Sequence, residues 1–572
     1  MDNREIGRVF REIADLLEIQ GEPFYRTAAY RRAAEAIEKY PLPMADLQED
    51  NRLKEVPSVG EAIALKIDEL LTTGDLEFHR KLRKKFPEGI LGLLSVPGVG
   101  PKSAKRFYEE LGVTDVETLE SAAQDGKIRD LAGMGAKSEE RILEGIAMMR
   151  RLTDRMLLGE ALPLAEEIIE HLRKATPVNQ IEPAGSLRRR QATIGDLDIL
   201  ATSKDPEKVM EAFVGFGRVA NVLAQGSSKS SVVLDNGLQV DLRVLPNDRF
   251  GSLLQYFTGS KEHNVELRGL ALSQGLSLSE HGFIRKKDSA EILCAEEEDV
   301  YAALGLPWIP PEMRQAWGEI EAAKAGQLPE LVTLDDVKGD FQCHTTYSDG
   351  QVSVQKMAQA AKARGYEYVL ITDHSQSLGV AGGMGPDRIL KQMNEIARVN
   401  KKMKPFRVLS GCEVEVKADG SLDLPDEILE KLDMVVASTH TGLRQAREKI
   451  TGRVIAAMRS PHVDLIAHPT GRLIGKREGA DLDFEEIVRV AKETGTMLEI
   501  NGQPDRMDLD GEHARLAREA GVTLALSTDA HSTDGFSVMP LAVSTARRAW
   551  IEAGDLANTL SWPDLKKRLK SP

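Results

Sequence analysis

Three cysteines, Cys294, Cys343 and Cys412, are all that this 572-residue chain contains. They are too few and too scattered for a disulfide framework, and a reducing cytoplasm is the expected setting. No run of 18 apolar residues occurs, so no membrane partner is expected. The opening MDNREIGRVFREIADLLEIQG lacks the apolar core and cleavage site of a secretory signal. Excess positive charge is missing too: 75 Lys and Arg stand against 90 Asp and Glu, a formal net charge of −15. That excludes a surface coated in phosphate-binding charge, but not local basic patches. Hydrophobic residues at 41% and charged residues at 29% are ordinary globular values and argue against wholesale disorder. At ~150 residues per domain the length suggests roughly four units.

What is present is unevenly placed. Seven of the 11 histidines lie beyond residue 340, which suggests a metal centre there. Residues 1–150 show apolar residues at helical spacing (Ile6, Val9, Phe10, Ile13, Leu16, Leu17). They also hold a repeat: Val56-Pro57-Ser58-Val59-Gly60, Val96-Pro97-Gly98-Val99-Gly100 and Leu131-Ala132-Gly133-Met134-Gly135, each followed by a helix carrying lysine. Gly60, Gly98, Gly100, Gly133 and Gly135 permit tight turns. A helix opening at such a turn can hold a backbone phosphate, with Lys102 adding charge. One copy reads equally well as a link between packed helices. Three copies favour DNA binding without base readout, in the manner of helix-hairpin-helix motifs. The basic run 80–85 is a solvated face or an extension of that track.

Residues 155–310 read as mixed helix and strand, with β-like runs at 178–184, 194–201, 217–224, 229–235 and 238–245. Proline and polar residues make 311–337 look like a linker. Beyond it, seven strand-like runs (339–344, 367–373, 406–413, 433–440, 463–468, 496–501, 522–529) alternate with helical ones. That pattern predicts a parallel sheet closed into a barrel of seven βα units.

In Ile194-Gly195-Asp196-Leu197-Asp198 the two aspartates are two apart on a strand and share one face; Asp241 lies on another strand. Three clustered carboxylates need cations, and hard oxygen ligands suit Mg²⁺ completed by substrate phosphates. Two-metal phosphoryl transfer requires such a set. Gly185-Ser186 at a strand end can offer a hydroxyl and backbone N–H to phosphate, and Arg189 a charge. In the barrel, His344, Asp349, His374, Glu413, His440, His468, Asp529 and His531 all fall near strand ends. Imidazoles and carboxylates converging there suit Zn²⁺, Mn²⁺ or Fe²⁺. His462 and His513 fit no motif and read as structural or surface residues.

The ordered set Gly185-Ser186, Asp196-x-Asp198, Asp241, then Tyr256-Phe257-Thr258-Gly259-Ser260, Asn264 and Arg268 resembles the family X DNA polymerases over residues 1–310. The histidine-rich set resembles the PHP (polymerase and histidinol phosphatase) domain over roughly 335–572, a pairing seen in bacterial family X polymerases. The resemblance implies an all-α helix-hairpin-helix region, an α+β nucleotidyltransferase palm and an α/β PHP barrel. The expected limits are 1–85 (lyase-like), 86–153 (DNA-binding), 154–255 (palm), 256–310 (nucleotide-selecting), 311–337 (linker) and 338–572 (barrel). It further implies DNA polymerisation in gap repair, with Asp196, Asp198 and Asp241 binding Mg²⁺. Ser186, Arg189, Gly195, Tyr256, Phe257, Gly259, Ser260, Asn264 and Arg268 would bind the nucleotide. The barrel would be a 3′→5′ exonuclease with two or three Mn²⁺ or Zn²⁺ ions. Gapped or primer-template DNA and dNTPs are the implied partners, for a cytoplasmic monomer. Lys66 matches the Schiff-base lysine of the family's 5′-deoxyribose-phosphate lyase; a DNA-facing helix lysine is the other reading. Two positions depart from the pattern. Ile194 replaces a small polar residue, and Gln342-Cys343-His344 replaces His-x-His, which bears on one metal position. Rival readings are a nucleotidyltransferase acting on RNA or protein, a DNA-binding scaffold whose metal sites only hold the fold together, and a barrel that is a structural metal domain or a small-molecule phosphatase.

Overall fold

In the computed structural model, residues 1, 3–38, 40, 42–153 and 155–570 are described. The expected palm start at 154 and the barrel's last residues, 571–572, lie outside the described residues. Two compact units divide the chain: residues up to Thr153 with Gly475–Arg477, and the remainder.

The first unit is helical because its apolar residues recur at the helical period. Ile6, Phe10, Ile13 and Leu17 are buried along the helix Asn3–Gln20. They belong to one core with Ile67, Leu70, Ile90, Phe107, Leu119 and Ile142, so segments 1–85 and 86–153 share an interior. The three repeats turn on one backbone hydrogen bond. Val59 N–H donates to the Val56 carbonyl at 3.1 Å, Val99 to Val96 at 2.9 Å, and Met134 to Leu131 at 2.9 Å. The third residue of each repeat has positive φ: Ser58 at +62°, Gly98 at +89° and Gly133 at +76°. Glycine accepts that conformation without a Cβ clash; Ser58 carries the strain of an L side chain.

The middle segment forms a five-stranded sheet ordered Val178–Pro183, Asp196–Ser203, Gln239–Leu245, Lys229–Leu234, Val219–Gln225. Leu197, Ile199, Val240 and Leu242 turn to one face and pack with Ile168 and Phe213 of the helices Leu158–Ala175 and Pro206–Val214. The alternate residues, including the aspartates, face the other way. The expected strand 194–201 is split at Gly195: Thr193–Ile194 pairs with Met156–Leu157, and the sheet strand begins at Asp196. The helix Phe250–Thr258 runs across the expected boundary at 255/256.

The linker reading of 311–337 is corrected. Met313, Arg314, Ile320 and Ala323 are buried in a core with Leu267, Phe283 and Tyr301, and Glu319–Lys324 is helical. Two of its polar side chains, Arg314 and Glu319, are paired in the interior, while Glu321, Lys324, Gln327 and Glu330 stay exposed. Arg314 meets Glu297 at 2.6 Å, and Glu319 meets His263 at 2.8 Å.

Seven parallel strands follow, each paired with the next in sequence: Gly339–Asp340, Tyr368–Ile371, Arg407–Glu415, Met434–Ser438, Val463–Ile466, Met497–Asn501 and Leu524–Ser527. The expected strand 339–344 joins the ladder only over its first two residues. It then meets the last strand's end through a Cys343–Ala530 bridge, with His344 N–H donating to the Ala530 carbonyl at 2.8 Å, so the barrel nearly closes. Phe341, Leu370, Leu409, Val436 and Leu465 fill a buried cluster within it. Among the described residues, no helix is long and apolar enough to cross a membrane.

Two candidate active sites

The middle sheet builds the first site by register. Asp196–Ser203 and Gln239–Leu245 run parallel with Asp198 directly opposite Asp241. Asp196 precedes Asp198 on the same face. Burial, reinforced by Asp196 and Asp241, pushes the Asp198 carboxyl up to about 6. Asp241 accepts from Gln239 Nε2 at 2.9 Å and pairs with Lys229 Nζ at 2.9 Å. Partial burial works to raise its carboxyl, but these partners hold it below the ordinary value.

Gly185 is required where it stands. Its φ is +58°, and a Cβ there would lie 2.6 Å from Asp198 Oδ2. The turn can thus carry Ser186 and Arg189 against the carboxylates. A cavity of about 640 Å³ opens there, lined by Gly185, Ser186, Arg189, Asp196, Asp198, Tyr256, Phe257, Gly259, Asn264 and Arg268. Asn264 Nδ2 donates to the Tyr256 carbonyl at 2.7 Å, and Arg268 Nε to the Asn264 carbonyl at 3.1 Å, so the helix pair holds these groups in one arrangement. Arg189 donates to the Thr258 carbonyl, tying the turn to the aromatic pair. Tyr256 and Phe257 meet edge to face at 5.3 Å, with Arg243 over the Phe257 ring at 4.4 Å.

Three expected residues do not line the cavity. Asp241 stands beside it through Asp198. At Gly195 a Cβ would come within 2.9 Å of Arg155 Nη1. Ser260 caps the helix Lys261–Ser273, accepting from His263 N–H at 3.2 Å. Sequence reasoning missed Arg155 and Lys261, which also line the cavity. Arg155 is anchored on Thr193, 38 positions away, at 2.9 Å; Lys261 adjoins the Gly259-Ser260 motif, a signal that was available. The site therefore brings carboxylates and cations to one cavity, which suits a polyanion bridged by metal ions.

The barrel builds the second site at its strand ends, and all eight expected donors converge. One group comprises His344, Asp349, His374 and His531, and another His374, Glu413 and His440. His531 Nε2 lies 3.4 Å and His374 Nε2 3.6 Å from Asp349 Oδ2. Glu413 is encircled: His374 Nδ1 lies 3.2 Å and His344 Nε2 3.5 Å from Oε2, with His440 Nε2 at 3.3 Å and His468 Nε2 at 3.0 Å from Oε1. Asp529 Oδ1 is 3.1 Å from His344 Nε2. Two donors sit in left-handed backbone, His468 at φ +29° and Asp529 at +52°, strain of the kind that functional sites retain.

These residues fit divalent metal ions. His344 Nδ1 and Nε2, His374 Nδ1, Glu413 Oε2 and His468 Nδ1 are buried without a hydrogen-bond partner. Burial works against charge throughout. Even so, Glu413 and Glu415 push His440 up to about 10, and Asp349 and Asp529 push His531 up to about 9. Glu415 was missed. It holds His440 Nδ1 at 2.8 Å and is braced by the buried Arg453 at 3.3 Å, orienting the ring from behind. His513 pairs with Asp510 at 3.0 Å, and His462 lies 3.7 Å from Asp426; neither belongs to either donor group.

In the first unit, the helices Glu61–Thr73 and Pro101–Leu111 start at Gly60 and Gly100 without a side-chain cap. A Cβ at Gly60, Gly100, Gly133 or Gly135 would meet nothing within 4 Å. Gly98 holds its turn at positive φ, and Lys102 is exposed on the helix that follows. Lys66 is half-buried, donates to the Ala62 carbonyl at 3.2 Å and lies over the Phe78 ring at 5.2 Å.

Residues 1–76 match a helix-hairpin-helix domain family, 90–147 a SAM-like helix-hairpin-helix tandem, 253–315 the DNA polymerase beta thumb and 340–503 the PHP domain. The chain is 37% identical to the DNA polymerase/3′-5′ exonuclease PolX of Bacillus subtilis (strain 168), over 100% of both chains. It is 26% identical to DNA polymerase lambda of Rattus norvegicus, over 54% of this chain and 56% of that protein. A probable phosphatase of Thermoanaerobacter sp. (strain X514) is 29% identical over 38% of this chain and 89% of its own.

Proposed function

The chain belongs to the family X DNA polymerases that carry a C-terminal PHP domain, and from that membership we propose a repair polymerase that fills short gaps from dNTPs. In this reading the barrel removes 3′-terminal nucleotides and cuts at abasic sites. The observation that carries the polymerase reading is the register setting Asp198 opposite Asp241 beside the 640 Å³ cavity.

Asp196, Asp198 and Asp241 hold Mg²⁺, and the barrel donors hold Mn²⁺ or Zn²⁺. Bound there, such ions supply Lewis-acid stabilisation of phosphoryl oxygens. Ser186, Arg189 and Lys261 receive the triphosphate with their hydroxyl and cationic groups. Asp241 accepts the proton of the primer 3′-OH as that oxygen attacks the α-phosphate and pyrophosphate leaves. Tyr256 and Phe257 occupy the space of a ribose 2′-OH, Asn264 meets the incoming base, and Arg268 lies toward the template strand. The hairpins grip the DNA backbone, and Lys66 is the amine of a 5′-deoxyribose-phosphate lyase site. The enzyme acts as a cytoplasmic monomer. The likeness to a probable phosphatase favours a second reading of the barrel, hydrolysis of small phosphate esters.

Incorporation of dNTPs and NTPs opposite a single-nucleotide gap with Mg²⁺ tests the substrate assignment. A clear preference for dNTPs is expected. Equal efficiency would contradict the role of Tyr256 and Phe257 and favour an RNA substrate.

A further inference from the structure

Asp373 is fully buried beside the barrel's donors and belongs to neither donor group. Its side chain is nonetheless heavily engaged. Oδ1 accepts from Thr345 N–H at 2.8 Å, from Ser348 N–H at 3.0 Å and from Ser348 Oγ at 2.5 Å. Oδ2 accepts from Thr345 Oγ1 at 2.6 Å and from Gln392 Nε2, on the helix Pro386–Met403, at 2.5 Å. Thr345 and Ser348 are the first and last residues of the loop between His344 and Asp349. Asp373 itself directly precedes His374, and its carbonyl accepts Glu413 N–H at 3.3 Å. One side chain thus ties the loop ending at Asp349 to the segments that carry His374 and Glu413. At the loop's end Asp349 Oδ2 lies 3.4 Å from His531 Nε2 and 3.6 Å from His374 Nε2. The Ser348 hydroxyl stands between the two carboxylates, 3.1 Å from Asp349 Oδ1. It has one proton to give. The shorter contact gives it to Asp373, which leaves the lone pairs of Asp349 Oδ1 for a cation.

We infer that Asp373 is the positioning residue of the donor group around Asp349: through Thr345 and Ser348 it fixes the loop that sets Asp349 against His374 and His531. Asp349 is the one carboxylate of that group, and it comes from a loop rather than from a strand. A donor on a free loop must be ordered when the ion binds, and that cost lowers affinity. Hydrogen bonds to a buried carboxylate order the loop beforehand, so the donors stand in one arrangement before any ion arrives. Asparagine at position 373 would keep the shape but not the role. A carboxylate offers acceptors only, whereas an amide would turn an NH₂ toward the donors of Thr345, Ser348 or Gln392. The inference rests on reading the barrel as a metal centre, but not on its being a nuclease.

The test is Mn²⁺ binding by the full chain, with Asp198→Asn as the common background to silence the palm site. The protein is stripped with a chelator, then titrated with Mn²⁺ by equilibrium dialysis and elemental analysis. Asp373→Asn should weaken one barrel equivalent by about 10–100-fold and leave the others near the parent's affinity. Asp349→Asn should weaken the same equivalent. The two substitutions together should bind hardly worse than Asp349→Asn alone, because Asp373 acts through Asp349. No change in Asp373→Asn, equal weakening at every equivalent, or full additivity of the two substitutions would overturn the inference and leave Asp373 as a support of the fold alone. If circular dichroism shows that Asp373→Asn does not fold, Thr345→Val decides. Mn²⁺ binding weakened several-fold at that one equivalent supports the assignment, and unchanged or uniformly weakened binding overturns it. A parent chain that binds no Mn²⁺ in the barrel would refute the metal-centre reading and this inference with it, whereas unchanged variants refute the inference alone.

Discussion

Replacing Gly185 by alanine should damage catalysis far more than folding. At φ +58° an L side chain is strained, and a left-handed residue costs about 1–2 kcal/mol. That alone would lower the melting temperature by several degrees, at about 2–4 °C per kcal/mol. The added Cβ would also lie 2.6 Å from Asp198 Oδ2, well inside contact distance, so the carboxylate must shift. A displacement of about 1 Å at a reacting centre costs on the order of 10²-fold in rate. Gly237→Ala is the matched control: its φ is +85°, and nothing lies within 4 Å of its new Cβ. It should lose similar stability and almost no rate. Single-turnover primer extension on a gapped substrate, at saturating dNTP and Mg²⁺, compares the two variants beside their melting curves. Equal extension rates would refute the claim that Gly185 is there to make room for Asp198.

The Asp198 carboxyl, raised by burial to about 6, should make Mg²⁺ binding at the palm weaken as pH falls through that value, because protons compete for the same oxygens. For folding without metal the sign is the reverse. The contribution of the neutral acid is complete below its unfolded pKa of about 3.9 and is lost as pH rises through about 6. Fluorescence-monitored Mg²⁺ titrations across this window check the first statement, and a pH-independent affinity would contradict it. Lys102→Glu should weaken DNA binding to the same degree on every sequence and flatten the salt dependence by about one unit of log–log slope. A loss confined to some sequences would mean that Lys102 reads bases.

Much of this was legible from the sequence, for physical reasons. Strand alternation alone places Asp196 and Asp198 on the face opposite Leu197 and Ile199. The barrel donors could be read because parallel strands deliver their ends to one rim, as they do for His344, Glu413, His440, His468 and Asp529. What escaped depends on partners distant in sequence. Arg314 has the composition of a linker residue, and only Glu297 and the fold around it make its burial tolerable. Glu415 follows Glu413 on the same strand, yet its use emerges only when His440 and Arg453 arrive from two other segments. Arg155 joins the palm cavity from outside every motif.

The central claim is that one chain carries two independent metal-dependent centres, one that adds nucleotides and one that removes them. Asp198→Ala and His374→Ala, each assayed on the same primer-template for dNTP-dependent extension and for Mn²⁺-dependent loss of 3′-terminal nucleotides, test it most directly. Asp198→Ala should abolish extension and keep nuclease activity; His374→Ala should do the reverse. Extension by Asp198→Ala at the wild-type rate, or loss of both activities in both well-folded variants, would contradict the account.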